Sequence, residues 1–273
     1  MQLITKLHNQ AYAIDMSANR ITFLDGRFYY TESGNPVPSV TTILNAYPKG
    51  AAFYEWLKKN GEDSDAIRDD AGRRGSRVHQ MTEAYDKGEE VSLFGGDGEL
   101  MLSMVEWAMF ERYIEFRTRF KPEIIDIETL IISEELGMAG TRDRVITLNG
   151  KRLLLDIKTG NYIGKEAWLQ LSAYQAIDMA NGHPPYDGIT ILHVAAKTKT
   201  EGRKDAIQGK GWQLLVEYDQ KVIDEYYTIF THTHKLWLSE NKDLMPRQVS
   251  YSLRHKQAVV EGVAVGVASE VIS

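Results

Sequence analysis

The pattern of apolar and polar positions predicts mostly helices in the first half of the chain. Residues 20–32 alternate in polarity and turn at Asp25-Gly26, which is typical of a β-hairpin. Residues 39–44 predict a short helix capped by Ser39. Between the later helices, the acidic run 62–70 is expected on a solvated face or loop. Helical spacing recurs in three segments: 51–60, 71–87 and 99–120, the last stopped by Pro122.

The pattern changes at Glu123 to one that is typical of β-strands. Asn149-Gly150, a strong hairpin signal, separates two of these segments. The predicted strands are 124–133, 141–148, 151–158, 188–195 and 212–218, and the predicted helices are 165–181 and 219–238. This order predicts an α/β (α+β) fold with a central mixed β-sheet flanked by helices.

Composition shifts divide the chain into three expected units. These are an N-terminal hairpin and short helix (1–50), a main domain (51–245) that includes the helical section 51–120, and a C-terminal tail (246–273). The tail is apolar, and it is expected to form a late strand or a loosely ordered end. A partner-binding or oligomerising segment is the alternative interpretation of the tail.

Cysteine content and charge narrow the chemistry. The chain has 273 residues, no cysteine and a formal net charge of −6. Disulfides, thiolate nucleophiles and cysteine-ligated iron–sulfur clusters are therefore excluded. The first ten residues lack the apolar core of a signal peptide. The chain also contains no stretch of about 18 apolar residues, the length needed to cross a bilayer. We expect a cytoplasmic protein with no membrane partner, whether in its own cell or in an infected host.

The candidate chemistry lies on the hairpin that Asn149-Gly150 closes. Asp143 precedes the turn, and Asp156 and Lys158 follow it on one face of the next strand. The hairpin brings Asp143 close to Asp156, and a divalent cation between the two carboxylates would remove their repulsion. Lys158 adds a positive charge beside that cation, where an attacking water or an anionic transition state could use it.

Three further groups extend this constellation. Gln170 and Tyr174, four residues apart, share one face of a predicted helix. His79 could supply a nitrogen ligand, which favours Mn²⁺ over Mg²⁺. Upstream, three arginines are candidate phosphate contacts, and Trp168 is a candidate for stacking on a base: Arg73, Arg74, Arg77 and Trp168. A solvated face for the arginines and a core position for Trp168 are the structural alternatives.

The ordered set of motifs resembles the RecB-type branch of the PD-(D/E)XK nuclease superfamily, over residues 70–180 and the strands that follow. The set comprises G-x-x-x-H ending at His79, G-x-x-x-x-x-D ending at Asp143, D-x-K-T-G from Asp156, and Q-x-x-x-Y from Gln170 to Tyr174. Because the chain has no cysteine, it is similar to the cluster-free phage and mitochondrial exonucleases rather than to members with an iron–sulfur cluster. No Walker motif is present, so we expect no ATP-driven activity.

The resemblance implies a restriction-endonuclease-like core with the helical section 51–120 arching over the site. It also implies a Mg²⁺- or Mn²⁺-dependent deoxyribonuclease. His79, Asp143, Asp156 and the Ile157 carbonyl would be metal ligands, and Glu128 resembles a further acidic residue of parts of the superfamily. Lys158 would position or activate the water. Gln170 and Tyr174 would order the site and the substrate strand.

The expected activity is exonuclease cleavage of DNA in phage-type replication, recombination or repair. A structure-specific endonuclease, or a non-cleaving module that binds DNA or a replication or recombination partner, are the alternatives. The net charge of −6 is unevenly spread, because residues 72–80 carry three arginines and no acid. It therefore predicts a local basic channel on an acidic body, with salt-dependent binding.

Overall fold

The structure is a computed structural model that describes residues 3–7, 10–15, 20–23, 26–96, 98–202, 206–242, 244, 255–260 and 263–269. The predicted turn residue Asp25 lies outside the described residues, and so does part of the predicted tail. Gly26 begins a strand that pairs with residues 20–23, as the predicted hairpin requires.

The described residues form thirteen strands and six α-helices. The strands are β1 (Leu3–Leu7), β2 (Gln10–Asp15), β3 (Arg20–Phe23), β4 (Gly26–Tyr30), β5 (Pro36–Pro38), β6 (Glu123–Ser133), β7 (Met138–Leu148), β8 (Lys151–Lys158), β9 (Gly188–His193), β10 (Gln208–Gly209), β11 (Trp212–Glu217), β12 (His255–Val260) and β13 (Val263–Ser269). The α-helices are α1 (Val40–Ile43), α2 (Ala51–Asn60), α3 (Ser64–Asp86), α4 (Met104–Phe120), α5 (Lys165–Ala180) and α6 (Gln220–Glu240).

The central sheet has six strands in the order β10-β11-β9-β8-β7-β6. All neighbours are antiparallel except β8 and β9, which pair in parallel and are joined through α5. This arrangement confirms the predicted mixed α/β sheet flanked by helices. Strands β1–β5 form a separate five-stranded sheet, and β12 pairs with β13.

Helices cover both faces of the central sheet because β8 alternates its apolar side chains. Leu153, Leu155 and Ile157 pack with α3 and α4, whereas Leu154 packs with α5 and α6. Asp156 lies in phase with Leu154, on the side of α5. Burying each of these leucines stabilises the fold by about 1.5–3 kcal/mol.

The N-terminal segment contributes to the same core. Phe28, Val40 and Ile43 are fully buried and cluster with residues of α5 and α6. Ser39 caps α1 as predicted, because its hydroxyl accepts the backbone N–H of Thr42 at 3.0 Å. Within the described residues, no helix combines the length and apolar character needed to cross a bilayer.

The predicted starts of two helices are wrong, and β7 begins at Met138 rather than at residue 141. The acidic run 62–70 is largely the exposed start of α3, which begins at Ser64 rather than at residue 71. Helix α4 begins at Met104, not at Glu99, because Ser103 and Glu106 form a capping box. Ser103 Oγ accepts the Glu106 N–H at 3.2 Å, and the Glu106 carboxylate accepts the Ser103 N–H at 2.7 Å.

Candidate active site

The β7–β8 hairpin brings the two aspartates of the candidate site together. The strand pairing extends to Arg144 and Leu155, so the next opposing positions are Asp143 and Asp156. There the Asp143 carboxylate accepts the backbone N–H of Ile157 at 2.8 Å. The Asp143 side chain is therefore held by the backbone of β8. It lies directly beyond the last backbone pair of β7 and β8.

Asp156 heads a chain of polar contacts that ends on α5. Lys158 Nζ lies 2.7 Å from Asp156 Oδ2 and donates to Gln170 Oε1 at 2.9 Å. The amide nitrogen of Gln170 lies 3.2 Å from Asp156 Oδ1 and 3.0 Å from the Tyr174 hydroxyl. The one-turn spacing of Gln170 and Tyr174 thus lets both side chains face the end of β8.

His79 joins this hairpin from α3. Its Nδ1 lies 3.4 Å from Asp143 Oδ2 and 3.8 Å from Glu128 Oε1. The three side chains each offer one ligand atom, and these atoms lie within 4.8 Å of one another. One imidazole and two carboxylates suit Mn²⁺, and the carboxylates also suit Mg²⁺. This cluster could hold a divalent metal ion.

Glu128 reaches the cluster through an irregularity in β6. The backbone φ of Glu128 is 47°, which lies in the left-handed region. Residues other than glycine rarely adopt this conformation in a strand. The pairs Ile127–Arg144 and Thr129–Arg142 flank it, while Glu128 itself stands opposite Asp143 without a ladder pairing. The residue with this distorted backbone is thus the one whose carboxylate lies beside His79.

The acidic surroundings set the charge of His79. Burial acts to lower the pKa of His79, but Asp143, Glu128 and Asp156 outweigh burial and raise the pKa to about 9. Without a metal ion, His79 is therefore protonated at neutral pH. A metal ion that binds the imidazole must displace this proton.

Asp156 and Lys158 are perturbed by burial and by each other. Burial raises the pKa of Asp156 to about 6; Lys158 opposes this shift and Asp143 adds to it. Burial acts to lower the pKa of Lys158, but Asp156 and Asp143 outweigh it and raise the pKa above its ordinary value. Lys158 is thus an ammonium ion that supplies positive charge, rather than a base.

Other predicted residues lie outside these contacts. Arg73 and Arg74 pair with Asp70 at 3.4 and 3.6 Å, and Arg77 pairs with Glu106 at 3.5 Å. Trp168 stacks on Tyr226 of α6, with ring centroids 6.1 Å apart. Trp168 lies about half a helical turn away from Gln170, because successive residues rotate by about 100°. The structure therefore does not bring Trp168 to the aspartates.

Two residues that the sequence did not single out support the site. Gly140 lies against the Tyr174 ring, and a Cβ there would come within 3.0 Å of its Cζ atom. Gly140 directly precedes the predicted strand 141–148, and the structure includes it in β7, where a glycine permits such a close approach. The other residue is Arg144, which follows Asp143 in the chain. Arg144 is fully buried. Sequence spacing gives no signal for its partners.

Two buried arginine clusters flank this part of β7. The Arg142 cluster contains Arg142, Asp126, Asp178 and Tyr186. The Arg144 cluster contains Arg144, Asp86, Thr82, Glu128, Tyr113 and Arg117. Although the two arginines are two residues apart, one contacts α5 and the other contacts α3. The alternation of the strand is therefore broken at Asp143.

Comparison with known proteins gives a distant structural likeness. The crystal structure of a provisionally named exonuclease from Eubacterium rectale matches with 15% identity and a TM-score of 0.39, covering 76% of this chain and 80% of that chain. No protein-family model matches the chain, and no curated protein matches it. A likeness this remote does not assign a family or an activity.

Proposed function

We propose that the protein is a metal-dependent deoxyribonuclease that hydrolyses phosphodiester bonds. The observation that carries the proposal is the convergence of His79, Glu128 and Asp143 beside the ion pair between the buried Asp156 and the partly exposed Lys158. Carboxylates and an imidazole that surround a potential metal position, with an ammonium group next to them, match the needs of phosphodiester hydrolysis.

Each side chain has a defined role in this proposal. In this proposal the cluster of His79, Glu128 and Asp143 would hold Mg²⁺ or Mn²⁺, and Asp156 and the Ile157 carbonyl would complete the set of ligands. When bound, the metal polarises the phosphate and lowers the pKa of a water molecule. Because Lys158 stays protonated, it donates to the attacking water or to the developing negative charge on the phosphate. Gln170 orients Lys158 because its Oε1 accepts a hydrogen bond from Lys158 Nζ at 2.9 Å, and Tyr174 orients Gln170 in turn.

The proposed substrate is DNA with a free end, in phage-type replication, recombination or repair. Arg73, Arg74 and Arg77 lie on the helix that carries His79, and Arg73 and Arg77 are exposed to solvent. Asp70, the partner of Arg73 and Arg74, is exposed, and surface pairs of this kind contribute about 0–1 kcal/mol, whereas Glu106, the partner of Arg77, is buried. DNA phosphates can therefore replace Asp70 at little cost.

The decisive experiment compares linear and closed circular DNA. Purified protein is incubated with end-labelled linear duplex, linear single strands or covalently closed circles, each with Mg²⁺ or Mn²⁺. We expect release of label from linear DNA, intact circles, and no cleavage by Asp156→Ala. Asp178→Asn is the matched control, because Asp178 is an equally buried carboxylate outside the candidate site.

The alternative functions give different results in the same assay. Cleavage of closed circles identifies an endonuclease. Binding of DNA without cleavage in either metal identifies a non-cleaving module. If Asp156→Ala degrades DNA as fast as the unmodified protein does, the proposed site is wrong.

A further inference from the structure

Arg144 contacts all three elements that carry the candidate metal ligands His79, Glu128 and Asp143. Its side chain is fully buried. One guanidinium nitrogen donates to the Glu128 carboxylate at 3.1 Å and to the Asp143 carbonyl at 2.6 Å. Nε donates to Asp86 Oδ2 at 2.7 Å, at the end of α3.

The contact with Glu128 holds a residue whose backbone is in an unfavourable conformation. A left-handed residue inside a strand persists only where its surroundings hold it there. Arg144 and His79 are the partners of the Glu128 carboxylate among the hydrogen bonds and ion pairs of the described residues. Of these two, Arg144 is the permanently charged group, and it holds Glu128 whether or not His79 is protonated.

A second route leads from Arg144 to His79. Arg144 Nη2 donates to the Thr82 hydroxyl at 3.3 Å, and this hydroxyl donates to the carbonyl of His79 at 2.9 Å. The ion pair with Asp86 fixes the same helix one turn further on. Arg117 and Tyr113 of α4 also contact Asp86, so α3 cannot shift relative to Arg144 without breaking several buried contacts.

We propose that Arg144 is a positioning residue of the candidate metal centre, which holds Glu128, the Asp143 backbone and the His79 helix in the arrangement that binds a divalent cation. The proposal rests on the proposed function only in that both need this metal centre. Residues that orient metal ligands from outside typically change metal affinity by about 10–100-fold when they are replaced.

The test is a direct measurement of Mn²⁺ binding to the full chain. Free Mn²⁺ is quantified by electron paramagnetic resonance for the unmodified protein and for Arg144→Lys. Lysine keeps the charge, but a single ammonium group cannot reproduce the fork of the guanidinium. We expect the dissociation constant for Mn²⁺ to rise about 10-fold or more.

Arg142→Lys is the matched control. It makes the same change on the same strand, in a buried cluster of two carboxylates and a tyrosine. We expect both variants to lose thermal stability and only Arg144→Lys to lose Mn²⁺ affinity. Unchanged affinity in Arg144→Lys, or an equal loss in Arg142→Lys, overturns the proposal. The same holds if the unmodified protein binds no Mn²⁺.

This measurement separates the two proposals. If Mn²⁺ binding depends on Arg144 but the protein cleaves no DNA, the proposed function is wrong and the positioning role stands. If the protein cleaves DNA and Arg144→Lys binds Mn²⁺ with unchanged affinity, the positioning role is wrong and the proposed function stands. Should Arg144→Lys fail to fold, Thr82→Val removes one Arg144 contact at nearly constant shape. A loss of Mn²⁺ affinity of about tenfold then supports the proposal, and unchanged affinity overturns it.

Discussion

The two buried arginines of β7 have similar partners but different surroundings. Arg142 contacts Asp126 and Asp178, and Arg144 contacts Asp86 and Glu128. In the Arg142 cluster the contacts close on themselves, because Tyr186 donates to Asp178 at 2.6 Å and Thr129 donates to Asp126 at 2.5 Å. The Arg144 cluster instead shares Glu128 with His79, at the candidate metal centre.

This difference separates stability from function within one strand. The Arg142 cluster ties β6, β7 and α5 together, and each of its charged groups is paired inside the cluster. The Arg144 cluster ends at Glu128, whose repulsion with Asp143 is relieved by a proton on His79 or by a bound cation. Buried charges that lack full internal compensation are typical of functional sites. The following predictions test this division, beginning with the largest expected effect.

Removing the charge of Asp178 should mainly affect stability. Asp178→Asn leaves the Arg142 guanidinium with one carboxylate fewer in a buried cluster, and breaking such a pair costs about 3–5 kcal/mol. We expect this loss in the free energy of unfolding, measured by urea denaturation. Turnover at low temperature, where the variant is folded, should stay within about twofold of the unmodified protein. A loss of activity without a loss of stability would contradict the division.

Removing the charge of Asp156 should have the opposite outcome. Burial already disfavours its ionised form, as the pKa of about 6 indicates, so Asp156→Asn sacrifices little folding free energy. We expect activity to fall by about 10²–10³-fold, a typical effect of losing one charged group from a catalytic site. Circular dichroism and urea denaturation should show a folded protein. Substantial remaining cleavage by Asp156→Asn would show that Asp156, like Asp178, is not needed for activity.

Much of this arrangement follows from local sequence. Asn149-Gly150 fixes the hairpin, and strand alternation fixes the common face of Asp156 and Lys158. The distance between Asp143 and Asp156 along the two strands is therefore predictable. The four-residue spacing of Gln170 and Tyr174 likewise predicts their common face.

What could not be predicted depends on distant partners or on broken periodicity. Arg144 and Asp86 are 58 positions apart, and no local pattern pairs them. The left-handed Glu128 is a non-glycine residue, so turn chemistry gives no sign of it. The start of α4 was missed because Leu100 and Met101 continue the apolar spacing, although both are exposed in the loop before the Ser103 cap.

Gly140 allows a smaller test, two positions before Arg142. Gly140→Ala would press a Cβ against the Tyr174 ring and push its hydroxyl away from Gln170. Overpacking of this kind costs about 1–3 kcal/mol, and we expect reduced turnover as well. Denaturation and cleavage rates measure both effects. Gly72→Ala in α3 is the control, because its Cβ meets open space and should stabilise the helix by about 0.5–1 kcal/mol.

If Gly140→Ala loses stability but keeps its turnover, then Tyr174 is a packing residue and does not order the candidate site. If the variant loses both stability and turnover, then Tyr174 orders the site together with Gln170. The replacement Tyr174→Phe distinguishes the ring from the hydroxyl, because it keeps the packing and removes only the contact with the Gln170 amide.

The smallest expected effect is the pH dependence of the metal-free protein. The pKa of His79 is about 9 in the fold, above its unfolded value of about 6.5. Its contribution to stability is therefore complete below about pH 6.5 and is lost as the pH rises through about 9. The effect is modest, because the His79 side chain is 29% exposed. Thermal melting in the presence of a chelator should show this decline, and His79→Gln should not.

The Arg142 cluster supplies the contrast for this last measurement. Its arginine has a raised pKa and Asp126 a lowered one, so these groups keep their charges between pH 6.5 and 9. Asp178→Asn should therefore lower the melting curve without changing its slope against pH. Saturating Mn²⁺ should reverse the slope, because a cation replaces the proton on His79 and binds more tightly as the pH rises. If the melting temperature of His79→Gln still falls with rising pH, then a group other than His79 titrates in this range. The proton responsible would then not belong to the candidate metal centre.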